Sequence, residues 1–304
     1  MNLKSILLIA LSVAGSFTVV AQSNLLNAKT PSEIGNKTAA QLESDNDKPL
    51  EYGYVHDRDV LMGKTIWEYV DLDERINFPL YYPIDTANIG SDRRSLFDVL
   101  IKGIKTGQIT EVYSDEYFNT KRTLKDISSV FRYTDTIPSG YDEINNYYDD
   151  YKSGRKVLDP QYINVTDLGA QDVSAYKIKG YWYFDKRQGE MKYRLLAICP
   201  VAPEARDIGK ENPDVIDIFW VYFPDARNLL HEWKAFNNEN SAMPITFDHL
   251  LNSRRFNGMI YKEENVFGDR EIKEYMKDNA LNQLLESERV KEKIRNFEQD
   301  MWNY

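Results

Sequence analysis

Residues 173–199 constrain the fold more than any other stretch, because two aromatic and branched runs flank a polar loop that contains glycine. Tyr176, Ile178 and Tyr181-Trp182-Tyr183-Phe184 form the first run, and Tyr193, Leu195, Leu196 and Ile198 the second. Between them Lys186-Arg187-Gln188-Gly189-Glu190 is a five-residue hairpin loop, so the two runs pair antiparallel. Val215 to Phe223 (VIDIFWVYF) predicts a third strand, apolar enough to be buried on both faces.

Helical signals accompany these strands. Ser95 is placed as a cap before Leu96, Phe97, Val99, Leu100 and Ile104, with Gly107 as the stop. Ile109 to Tyr113 predicts a short strand, and Leu124 to Phe131 a small helix after Thr123. Pro138 to Asp159 is polar, aromatic and loop-like. Pro224 and Asp225 open a helix through Leu229, Leu230 and Trp233. Phe247 to Phe256 predicts another, ended by Gly258 ahead of Met259-Ile260-Tyr261. Asp59 to Trp67 has helix-compatible spacing while Trp67 to Leu72 alternates like a strand, which leaves both readings open. Leu80 to Pro83 reads as an extended or turn element, since a residue before proline avoids the helical region. From Arg270 the tail is helical, with Val290, Ile294, Phe297 and Met301 at i, i+4, i+7 and i+11. That stripe either packs on the domain or docks on a neighbouring subunit. The expected class is α+β: short antiparallel sheets, packed helices and a long C-terminal amphipathic helix.

A pattern recurs along the chain. Trp67-Glu68-Tyr69-Val70 and Trp220-Val221-Tyr222-Phe223 are 153 residues apart, Phe97-Asp98 and Phe247-Asp248 are 150, and Gly107-Gln108-Ile109 and Gly258-Met259-Ile260 are 151. Near-constant offsets fit two related halves, 49–155 and 172–304; chance recurrence of a common order is the rival.

The chain begins with an export signal. Lys4 precedes an apolar run from Ile6 to Val20, and Ala21 is a small-residue exit before Gln22. The run is shorter than the ~20 residues that span a bilayer. A lipid-anchored exported protein needs cysteine after the cut, and the single Cys is Cys199, so the mature chain is expected to be unanchored and to hold no internal disulfide. Residues 22–48 are polar and read as a flexible leader, with Leu25, Leu26 and Ile34 as anchors should they fold on a partner. Removing residues 1–21, whose one charged residue is Lys4, takes the net charge from −10 to −11. Such a charge argues against nucleic acid as a partner.

No catalytic, cofactor or metal motif emerges. Cys199 ends an apolar run before Pro200 and reads as a buried small residue. His231-Glu232 begins like a zinc-protease helix, but Ala235 stands where the second ligand belongs; His56 and His249 have no such partner pattern. Asp71/Asp73/Glu74 and Asp149/Asp150 read as solvated acidic runs rather than cation sites.

Longer phrases identify a family. WEYVDLDERINFPLYYP (67–83), SLFDVLIKGIKTGQIT (95–110), DIFWVYFPDARNLL (217–230), FDHLLNSRRFNGMIYKEENVF (247–267) and LLESERVKEKIRNFEQDMWNY (284–304) resemble the gliding-motility GldN/PorN family from about residue 49 to the end. The resemblance implies a non-enzymatic periplasmic subunit of the type IX secretion system, with no catalytic residue or cofactor to carry over. It also implies association with an outer-membrane lipoprotein (GldK/PorK) in a ring, and contact with the periplasmic part of the motor protein (GldM/PorM). The chain would then sit in the periplasm, held at the outer membrane through its partner. Two rivals make different demands. A periplasmic carbohydrate-active hydrolase requires a deep pocket with converging carboxylates, and a small-ligand carrier requires an apolar cavity inside one domain. Trp182, Tyr183 and Trp302 are the candidate interface anchors, while Trp220 is assigned to the core.

Overall fold

The computed structural model of the chain describes residues 48–86, 93–211, 213–236, 245–277 and 279–302. The signal at 1–21 and, apart from Lys48, the leader at 22–48 lie outside them. From Pro49 on, the described residues belong to one compact unit.

Strand β1 (Val60–Asp71) resolves the ambiguous start of the ordered chain. Alternation prevails over helical spacing because both faces of the strand are covered: Ile66 and Val70 are buried on one side, Trp67 on the other. Helix α1 (Phe78–Tyr81) takes in Leu80 and Tyr81 of the segment expected to be extended or a turn, while Tyr82, next to Pro83, is extended. Helix α2 (Leu96–Thr106) starts where the Ser95 hydroxyl accepts the Asp98 amide at 3.2 Å and stops at Gly107, whose φ of 76° suits glycine. The strand expected over 109–113 shortens to β2 (Val112–Tyr113), paired with β3 (Lys121–Arg122). Helix α3 (Leu124–Phe131) opens on a reciprocal cap between Thr123 and Asp126.

The loop expected over 138–159 is instead largely helical. Strand β4 (Arg132–Thr136) leads into α4 (Pro138–Asn146) and α5 (Tyr148–Lys152), and β5 (Ile163–Asp167) returns to pair with β4. Proline in the first turn pre-sets α4. These helices bury almost no side chains and so carry no apolar stripe to read.

The central hairpin is β6 (Ala175–Asp185) and β7 (Glu190–Pro203). The third strand is a correction: it breaks into β8 (Val215–Asp217) and β9 (Val221–Tyr222), each paired with β7. Between them Ile218 and Phe219 enter the main core and Trp220 a smaller one, so three consecutive buried residues serve two clusters and cannot all alternate. Helix α6 (Phe223–Glu232) leaves Trp233 just outside, followed by a small ribbon, β10 (Lys234–Ala235) with β11 (Ile245–Thr246). Helix α7 (Phe247–Asn252) ends before Phe256, because Arg254 turns left-handed at φ 52°. Strand β12 (Met259–Glu263) follows, and the helical tail divides into α8 (Ile272–Tyr275) and α9 (Ala280–Trp302).

The main sheet runs β12-β1-β6-β7-β8, with β9 also on β7. Strands from both proposed halves share it. On one face Val70, Tyr176, Ile178, Leu195 and Ile198 pack with Leu100, Leu229, Leu230, Phe247 and Leu251 of α2, α6 and α7. Farther along, Ile66 and Ile260 receive Val290 and Ile294 of α9. On the other face Trp67, Ala197, Cys199 and Trp220 form a small core. The fold is α+β. Among the described residues no helix is long and apolar enough to cross a membrane.

Candidate functional site

Trp67 is the centre of the more polar sheet face. Its register partners are Lys179 on β6 and Lys262 on β12, so one indole lies between two lysines. Their ammonium groups stand 5.1 Å and 4.6 Å from the Trp67 ring and 4.8 Å and 4.9 Å from that of Tyr117. The loop carrying Glu116 and Tyr117 closes over them. Lys262 bonds the Glu116 carboxylate and the Tyr117 hydroxyl, whereas Lys179 donates to the Glu116 carbonyl at 2.9 Å. Burial lowers the pKa of Lys179, and nearby Lys262 adds to the fall. Asp115 holds the loop by accepting the amides of Tyr117, Asn119 and Thr120 at 2.9–3.1 Å.

Beside this cluster lies a cavity of about 320 Å³ walled by Tyr69, Val201, Tyr261 and Ile272. Its two acids are already engaged, Asp217 with Lys177 and Glu271 with Lys273, both at 2.7 Å. Cys199, adjacent in the sheet, is fully buried, and burial pushes its thiol far up. His231 lies on α6 and His249 on α7. Among the described residues no group of three or more His, Cys, Asp and Glu is arranged to hold a metal ion.

The opposite face holds a buried ion pair where α9 meets the sheet. Glu68 is 1% exposed and accepts two bonds from the Arg254 guanidinium, at 2.8 and 2.6 Å. Burial opposes the Arg254 charge, but the Glu68 bonds outweigh it and hold its pKa above the ordinary value. The guanidinium lies over Tyr193, Trp182 and Phe256 at 4.2, 5.2 and 5.2 Å. Tyr193 reaches this position because residue 180 is glycine; a Cβ there would fall 2.0 Å from its hydroxyl. Ser287 accepts the Ile260 amide at 2.8 Å and fastens α9 to β12. A second buried pair, Arg227 with Asp248, joins α6 to α7 at 2.8 and 3.1 Å.

The candidate anchors take different positions. Trp182 is half-buried beside Arg254 and Tyr193, Tyr183 is buried in parallel with Tyr181, and Trp220 lies in the small core. Trp302, in the last turn of α9, is 72% exposed. The structure does not bring Trp302 and Tyr183 into one patch, since only the former is open to solvent. Sequence reading missed the lysines about Trp67 and the Glu68–Arg254 pair. Their partners are distant in the chain, and only strand register aligns them.

No curated protein matches the chain at a significant level. The model of the family described as gliding motility associated protein GldN matches residues 55–303. That span covers the sheet, both buried ion pairs and all of α9, and the chain therefore belongs to the GldN family of gliding-motility-associated proteins.

Proposed function

We propose that this chain is a non-enzymatic structural subunit of the type IX secretion and gliding machinery, working in the periplasm. It forms a ring with a GldK/PorK-like outer-membrane lipoprotein and contacts the periplasmic part of a GldM/PorM-like motor protein. The family match over residues 55–303 is the observation that carries this reading. The surface supports it. Trp302, Phe267, Leu281, Leu285 and Tyr148 are each more than half exposed, the kind of apolar and aromatic side chain that protein contacts cover. The sole cysteine is internal and buried, which supports attachment to the outer membrane through a protein. A tagged chain pulled from gently lysed cells is expected to bring the lipoprotein and the motor protein with it. Recovery free of both overturns the reading.

A further inference from the structure

The ribbon of β4 and β5 has an open edge. Just beyond its ends, the Leu168 amide bonds the Phe131 carbonyl at 2.8 Å and the Ile137 amide bonds the Tyr162 carbonyl at 3.0 Å. Antiparallel ladders alternate bonded and non-bonded pairs. The register Arg132↔Asp167 to Thr136↔Ile163 therefore makes Tyr133–Thr166 and Asp135–Asn164 the bonded pairs. The amides and carbonyls of Ile163, Val165 and Asp167 then point away from β4. On the β4 side the outward amides of Arg132 and Thr136 are taken by the Ser128 carbonyl and the Asp135 carboxylate. On the β5 side the Pro160 carbonyl takes the Ile163 amide, which leaves those of Val165 and Asp167 without a backbone partner among the described residues. Val165 is 50% exposed, and the strand carries none of the lysines, prolines or bulges that ordinarily protect an edge.

We propose that β5 pairs with β5 of a second copy of this chain, antiparallel about a twofold axis through Val165. The outward positions are symmetric about that residue, so the axis sets Val165 opposite Val165 and Ile163 opposite Asp167, and the Val165 and Asp167 amides meet the Val165 and Ile163 carbonyls of the other copy. Charge is compatible as well. Asp167 is the only charged residue of β5, is held by Arg132 at 2.6 and 2.7 Å, and meets an apolar residue rather than another acid. The same pairing joins the Val165 and Ile163 side chains of both copies on one face. It also turns a marginal two-stranded ribbon into a four-stranded sheet. This pairing does not rest on the secretion reading.

Sedimentation of the purified chain over a range of concentrations tests it, with Val165→Lys as the first variant. The chain is expected to dimerise, and the variant to weaken the dimer about tenfold by placing two ammonium groups face to face. Val165→Cys gives a second readout that does not depend on affinity. A bonded pair sets its Cα atoms ~5.5 Å apart, within disulfide reach. Mild oxidation should therefore link Val165→Cys but not Asn164→Cys, while buried Cys199 stays silent. A chain that remains monomeric with no Val165→Cys linkage overturns the proposal. So does a dimer that Val165→Lys leaves intact.

Discussion

Single residues decide how the sheet is locked to its helices. Arg254 occupies a left-handed backbone position that ordinary side chains avoid, and its two bonds to buried Glu68 hold it there. Arg254→Ala leaves a carboxylate buried and unpaired, an expected loss of about 3 kcal/mol by urea denaturation. Replacing Glu68 and Arg254 together with methionine should cost less than Arg254→Ala alone; an equal or larger loss would mean that the pair does more than neutralise Glu68. Asp115 gives a pH-dependent counterpart. Burial alone would raise its pKa, but the amides of Asn119, Thr120 and Tyr117 outweigh burial and hold the carboxyl below its ordinary range. A depressed carboxyl stabilises the fold above its unfolded value of about 3.9, and that contribution is lost as pH falls through the folded value. Asp115→Ala is accordingly expected to cost about 1 kcal/mol at neutral pH, with the gap closing in acid. A gap that persists undiminished in acid would rule out the carboxylate as its source.

At the scale of elements, α9 is fixed by a narrow seam. Val290 and Ile294 are buried against Ile66 and Ile260, whereas Leu281, Leu285 and Trp302 face solvent. Ile294→Ala should cost about 2–4 kcal/mol. Trp302→Ala should change stability by less than about 0.5 kcal/mol while weakening recovery of the partners; a fall in thermal stability comparable to that of Ile294→Ala would place Trp302 in the fold instead. The same division explains what was legible in the sequence. Helices α2 and α3 and the β6–β7 hairpin carry their own caps and loop, so short-range chemistry specified them. The β4–β5 ribbon joins strands separated by two nearly stripeless helices, and nothing local announces that pairing. VIDIFWVYF looked like one strand because burial by two different clusters leaves the same apolar trace as burial within one sheet. Trp302 was visible as a large terminal side chain, but its exposure depended on which face of α9 met the sheet.

As a whole the described residues build a sheet with helices packed on one face and a lysine–aromatic cluster on the other. The acids beside its cavity are already paired with lysines. Membership of the GldN family makes the chain a gliding-motility component, and its proposed function requires that it assemble with other proteins. The size of the native complex tests this most directly. After gentle extraction and gradient sedimentation, the chain should travel with the proposed lipoprotein partner as a species many times larger than its own 35.5 kDa. Sedimentation as one or two chains, free of any partner, would contradict the claim.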